Sequence, residues 1–490
     1  MSGEKEIKIH SIKYNFIMNA ILKMSSFLFP LITFPYISRI LGPEGNGKVS
    51  FASSVVYYFT VVASLGIPTY GIRICTRYRD DKEKLSRTVH ELLMINSVLT
   101  VLSYVVLVIL TVCVPRLRGD WKLLLVSSVT LVLSSMGVEW FYQAIEQYAY
   151  ITYRNILFKI ISIILMFLLV KDANDYIVYA GVQVLGNVGS NLLNMIRLRQ
   201  YIIMKPMGRY EPLQHVKPAV TFFLLTVATT VYTNLDTVML GFMAGDTEVG
   251  YYNAAVKMRN ILVSLVSALG TVLLPRTSYY LQHGMTDAFR SVIEKSVKVV
   301  FIVALPLMFY CNFEAENIIM FLAGDGYREA VPTMLVLTPT IFIIGLSNIT
   351  GLQILVPLGL EKYTVTSTMV GAMTDLVLNA LLIPRYGALG AALGTLVTEI
   401  VVLGVQVLCV YKLPYVKNDW RDLLKIIAAC LAAAGGMMVY QMRPLIENVF
   451  LELVISAIVF FGIDGLLLIG LKEDMVWQYL IEPLRRRLRK

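Results

Sequence analysis

The sequence predicts an all-α polytopic membrane protein: about fourteen transmembrane helices, arranged as two six-helix bundles followed by two extra helices. Three observations predict it. Of 490 residues, 57% are hydrophobic and the mean hydropathy is +0.68, whereas a soluble domain lies nearer ~45–50% apolar. Long apolar segments recur along the whole chain, each near the ~20 residues that cross a ~30 Å hydrocarbon layer. The two halves also echo one another, as an internal repeat does.

The first apolar segment, 14–41, is not uniformly greasy. Asn15, Asn19, Lys23, Ser26 and Pro30 follow at steps of four, four, three and four. At ~3.6 residues per turn they form one narrow polar stripe. A lysine at that depth is costly unless it faces a protein interior or a water-filled cavity. This helix is therefore expected to wall a polar cavity. Further segments fall at 49–74, 89–114, 121–145, 151–170, 175–198, 217–243, 249–275, 291–311, 331–357, 362–383, 388–411, 422–441 and 446–470. The lysine-bearing N-terminus runs into a segment too long for a signal-peptide core, so no cleavable signal is expected. The tail from Lys472 to Lys490 reads as a basic amphipathic helix on the cytoplasmic surface.

The net charge of +10 is explained by topology. With both termini cytoplasmic, the outer segments carry only Arg39, Lys48, Arg116, Arg118, Lys122, Lys171, Arg328, Arg385 and Arg443. Most other basic residues, Arg154 and Lys159 among them, count to the inner side, as the positive-inside rule requires. This reading leaves Lys23, Lys257 and Arg259 inside the membrane and needs no nucleic acid. The five cysteines and four histidines form no ligand pattern, so no metal site is expected.

The repeat pairs Leu41-Gly42, Gly47 and Phe51 with Leu240-Gly241, Gly250 and Tyr251. Leu65-Gly66 pairs with Leu269-Gly270, and Glu146-Gln147-Tyr148 with Glu361-Lys362-Tyr363. The boundaries follow: 1–205 and 206–415 for the bundles, 416–470 for the extra helices, 471–490 for the tail. An even number of helices per repeat implies a pseudo-twofold along the membrane normal and a cleft between bundles. In the helix matching the first, Thr226, Thr230 and Thr233 share a face beside Asp236; in the next, Asn253, Lys257, Asn260 and Ser264 form a second polar stripe. Arg259 points about 200° away from Lys257.

Several motifs together are similar to a known family: Phe29-Pro30, Phe34-Pro35-Tyr36 and Arg39-Ile40-Leu41-Gly42-Pro43; Gly250-Tyr251-Tyr252-Asn253-Ala254-Ala255 with Lys257; Leu269-Gly270 through Pro275-Arg276; and Gly387-Ala388-Leu389-Gly390-Ala391-Ala392. Over roughly 10–470 the chain resembles the polysaccharide flippases that move O-antigen and capsule repeat units, in the superfamily of MATE exporters and lipid II flippases (MOP). The resemblance implies alternating access and a substrate of undecaprenyl-pyrophosphate-linked oligosaccharide, carried to the outer leaflet of the bacterial cell membrane. It also implies a cationic cavity, which maps onto Lys23 and Lys257.

The chemistry suits the residues. Dragging a charged, hydroxylated head through hydrocarbon is prohibitive without a polar path. Lys23, Lys257 and Arg259 are the expected pyrophosphate ligands; Asn15, Asn19, Asn253, Asn260, Thr230 and Thr233 are expected to meet sugar hydroxyls. No cofactor is expected, but coupling to H+ or Na+ stays open, with Asp236, Asp375, Glu399 and Glu139 as candidate carboxylates. Partners beyond the lipid-linked glycan and membrane lipids would be a polysaccharide polymerase and glycosyltransferases. Two rivals do related work: a lipid II flippase, and a MATE-like cation antiporter, whose cavity should be acidic. An enzyme is not expected, because the longest outer loop, 311–331, is too short to form a catalytic domain.

Overall fold

The computed structural model describes residues 11–411, 413, 420–442, 446–478 and 482. Among these the structure is predominantly helical, with no strand. The chain divides into two compact units, residues 1–250 and 251–490.

The first unit opens with α1 (Ile12–Ser64), capped by Ser11, whose Oγ accepts from the Tyr14 amide at 3.3 Å. Its 53 residues would make a straight rod of ~80 Å, far more than a bilayer. The chain resolves this at Gly42, whose φ of 63° breaks the helix just before Pro43. A left-handed residue suits glycine, and Pro43 suits the first turn of the new limb. Leu65 and Gly66 are again left-handed and separate α1 from α2 (Ile67–Arg77), so the expected segment 49–74 is two helices. Next come α3 (Lys82–Cys113), α4 (Pro115–Gly119), α5 (Trp121–Met136) and α6 (Glu139–Ala144). Val138, at φ 38°, divides the expected segment 121–145. Then follow α7 (Tyr148–Leu169), α8 (Tyr176–Val184), a π-helical turn at Leu185–Gly189, α9 (Asn191–Leu198) and α10 (Leu213–Met243).

Two echoing motifs interlock here. A Cβ on Gly47 would overlap the Asp246 carbonyl, and one on Gly250 would overlap that of Pro43. Arg116 ties the same corner: its Nε donates to the Gly241 carbonyl at 3.0 Å, and its guanidinium pairs with Asp120 (2.6 Å) and Asp246 and covers the Phe51 ring. Small residues let backbones approach, and a charged fork then holds them.

The helix α11 (Asp246–Gln282) leads into the second unit: α12 (Thr286–Phe313), α13 (Ala315–Ala323), α14 (Val331–Leu337), α15 (Pro339–Asn348) with a π-helical continuation at Ile349–Leu355, α16 (Glu361–Val410), α17 (Trp420–Gln441), α18 (Val449–Gly470) and α19 (Asp474–Val476). α16 repeats the solution of α1. Its 50 residues turn at Gly387, φ 53°, and the limbs pack because a Cβ on Gly390 would strike the Leu382 carbonyl. Lys298 of α12 reaches Asp422 of α17 at 2.5 Å, fastening the two helices, and Lys425, one turn on along α17, adds to the pair at 2.8 Å. Of the expected tail helix only α19 and its neighbours are described; most of 479–490 lies outside the described residues.

Among the described residues, eight helices or helix runs are long and apolar enough to cross a membrane. Leu, Val and Ile side chains of α3, α7, α16 and α18 stand exposed in large numbers, as lipid-facing helices require.

Candidate functional site

In the first unit the polar stripe of α1 splits into three environments. Asn15 is buried and its Nδ2 donates to Glu146 Oε2 at 3.2 Å, while Glu146 Oε1 receives Arg79 at 3.1 Å. Its amide is thus tied to the α6–α7 turn. Asn19 is half-buried and Lys23, one turn on, is exposed; Lys23 has no ion-pair partner among the described residues. Ser26, the next position of the stripe, accepts a hydrogen bond from Lys159 Nζ at 3.0 Å, as does Ser25.

That last contact corrects the charge count. Lys159 sits in the middle of α7, not in an inner loop, and its ammonium lies 5.4 Å from the Phe29 ring centre. The stripe of α1 therefore meets a second amine, borrowed from another helix. Arg154 is likewise buried within α7 rather than in a loop. It pairs with Glu139 at 2.7 Å and reaches Asn191 at 3.3 Å. Glu139 is thereby committed to a guanidinium. The segment 151–170 is expected as a helix, but the charge count assigns these two cations to its inner end although both lie within it.

On α10, Asp236 is buried. Thr226 donates to the Phe222 carbonyl at 3.0 Å, whereas the side chains of Thr230 and Thr233 lie outside the described residues. On α11, Asn253 and Lys257 are half-buried on one face. Arg259 turns away and donates through Nε and Nη2 to Asn260 Oδ1, at 3.3 and 3.1 Å. Lys257 and Arg259 thus take different environments, as their angular separation demands.

The second unit holds a different kind of polar centre. Asp375 is buried on the first limb of α16, accepting from Asn379 Nδ2 at 3.1 Å and from Thr398 Oγ1 at 3.4 Å across the Gly387 turn. Glu399, beside Thr398, is buried as well. Gly394 makes room: a Cβ there would overlap Asn379 Oδ1. Thr395 meets the Tyr252 hydroxyl at 3.0 Å. Sequence reading named Asp375 and Glu399 but missed Asn379, Thr395 and Thr398. Their steps of four and three along the chain were the available signal. No group of three or more His, Cys, Asp or Glu among the described residues is placed to hold a metal ion.

Kinked long helices, a cationic stripe and sealed carboxylates in an apolar all-helical chain define a multi-pass membrane transporter fold. The fold matches that of lipid II flippase MurJ in its inward closed conformation, with a TM-score of 0.75 at 14% identity, covering 93% of this chain and 99% of that one. It also matches an inward-facing multidrug resistance MATE family transporter of the MOP superfamily, at 0.56 and 14% identity, covering 81% and 98%.

The chain belongs to the polysaccharide biosynthesis protein family, which it matches over residues 12–281; residues 222–381 also match the MatE family. It is 25% identical over 402 residues to the "Putative O-antigen transporter" of Escherichia coli (strain K12), covering 82% of this chain and 97% of that protein. It is 25% identical over 209 residues to the "Probable flippase AglR" of Haloferax volcanii, covering 42% and 43%.

Proposed function

We propose that this protein is a flippase for lipid-linked glycans, moving undecaprenyl-pyrophosphate-linked oligosaccharide repeat units from the cytoplasmic to the outer leaflet for cell-surface polysaccharide. Membership of the polysaccharide biosynthesis family, with an O-antigen transporter among its relatives, carries this reading. The work is alternating access and involves no covalent step. Both termini lie in the cytoplasm, on the side richest in Lys and Arg.

Lys23 and Lys257 each engage the pyrophosphate during the passage. The exposure of Lys23 supports this, since an ammonium facing away from packed helix leaves its three donors for an anion. Asn19, Asn253 and Asn260 serve sugar hydroxyls, and Arg259 steadies Asn260. An interior-negative potential favours outward movement of an anion by ~2.3 kcal/mol per charge per 100 mV. Proton or sodium coupling, where present, falls to Asp375, shut in by Asn379 and Thr398, and to the buried Glu399.

The test is complementation. A strain lacking its repeat-unit flippase should regain surface polysaccharide when it expresses this chain. Rescue of a strain depleted of lipid II flippase, without rescue of the first, would overturn the reading.

A further inference from the structure

The second unit contains a cavity of about 510 Å³ between α11, α12 and the π-helical turn after α15. Neither the polar stripe at Asn253 and Lys257 nor the Asp375 cluster lines it, and it has three distinguishing features. The walls are mostly apolar, Val266 and Val300 among them. Two cations border it, Arg276 on α11 and Lys295 on α12; both are exposed and neither has an ion-pair partner among the described residues. The neighbouring Glu294 is already paired with Arg290 at 3.3 Å. Finally, Gln353 borders the cavity while only 2% exposed, and its Oε1 has no hydrogen-bond partner among the described residues.

A buried acceptor left unmatched is unfavourable and calls for an explanation. Its backbone gives one. Gln353 lies on the π-helical turn Ile349–Leu355, and Asn348, just before it, is fixed by donating to Ser267 at 2.7 Å. Turns of this kind are rare and gather at functional sites, since one extra residue re-aims the side chains that follow. The cavity thus offers cationic donors from the two helices joined by the 283–285 turn, an acceptor awaiting a donor, and an oily wall. The complementary molecule has an anionic phosphate, a hydroxyl and a hydrocarbon part. Basic pockets between membrane helices bind anionic lipid headgroups by this chemistry.

We infer that this cavity is a binding site for an anionic, phosphate-headed lipid: Arg276 and Lys295 hold the phosphate, the chain lies against Val266 and Val300, and Gln353 accepts from a headgroup hydroxyl where the lipid carries one, as phosphatidylglycerol does. Such a lipid can come from the bilayer or be a polyprenyl diphosphate. The test uses the full-length protein, delipidated in detergent and incubated separately with phosphatidylglycerol, undecaprenyl diphosphate or phosphatidylethanolamine, with bound copies counted by native mass spectrometry. At least one of the two anionic lipids should be retained and the zwitterionic one should not. Retention should fall by about tenfold in R276Q/K295Q, the scale of a lost charge-assisted hydrogen bond.

Retention should fall less in Gln353→Leu, and not at all in Arg290→Gln. Retention of phosphatidylglycerol alone assigns the site to a membrane lipid; retention of undecaprenyl diphosphate alone assigns it to the cargo. Equal retention of phosphatidylethanolamine, no retention of either anionic lipid, or undiminished retention by an R276Q/K295Q protein of unchanged melting temperature would overturn the inference. Because no transport is measured, a failure here leaves the flippase reading standing, and the converse holds.

Discussion

The α1 stripe of the first unit and the α16 hairpin of the second are both polar centres in oily surroundings, yet they are built in opposite ways. Around Lys23 the amine is left open, and the neighbouring Lys159 is held on the hydroxyls of Ser25 and Ser26. Around Asp375 the carboxylate is closed over by Asn379 and Thr398, and Gly394 lets the limbs come close enough to seal it. An open cation can exchange partners with a large anionic cargo. A sealed carboxylate suits a small ion or proton and also braces the fold. The contrast predicts that removing the open amine of Lys23 costs transport alone, whereas substitutions around Asp375 cost transport and stability together.

The sharpest test is Lys23→Ala. Export measured as surface polysaccharide should fall to below about a hundredth, some ~2.8 kcal/mol on the transport step, with the melting temperature unchanged. Lys23→Arg should retain much of the activity, and normal export by Lys23→Ala would end the comparison. Asp375→Ala should come next. It leaves a buried amide and hydroxyl without their acceptor, which costs about 2 kcal/mol, so thermal stability in detergent and export should drop together. A stable Asp375→Ala protein would place that carboxylate outside the packing role.

Gly394→Ala presses a methyl onto Asn379 and should cost about 1–2 kcal/mol of stability by overpacking, with a milder export defect. Lys159→Met should have the smallest effect. Losing two hydrogen bonds to Ser25 and Ser26 costs about 1 kcal/mol, and export should fall only a few-fold if Lys23 carries the anion. A loss as deep as that of Lys23→Ala would make the two amines equal partners.

Much of this was legible in the sequence, because hydrocarbon imposes long apolar runs and makes every interior charge conspicuous. The breaks inside α1 and α16 were foreshadowed by Leu41-Gly42-Pro43 and by Gly387. What escaped were features set by three-dimensional company. Lys159 looked peripheral until α7 was seen to lay it on Ser25 and Ser26. Nothing in the sequence hinted that Asn15 would donate to Glu146, 131 residues on. The π-helical turns at Leu185–Gly189 and Ile349–Leu355 leave no periodic mark, since one inserted residue hardly alters an apolar pattern.

The Gly42 break has a mechanical consequence. Beyond it, the limb starting at Pro43 is keyed to Asp246 and Gly250 and locked by Arg116. Before it, Phe16, Met24, Leu28 and Ile32 stand exposed. Torsion at a single glycine would carry the lysine-bearing arm together with α7, to which Met18, Ser25 and Ser26 tie it, like a door on a fixed post, sparing the bolted corner. Gly42→Ala strains this φ and should therefore disturb the stroke at its pivot while leaving the grip on cargo intact.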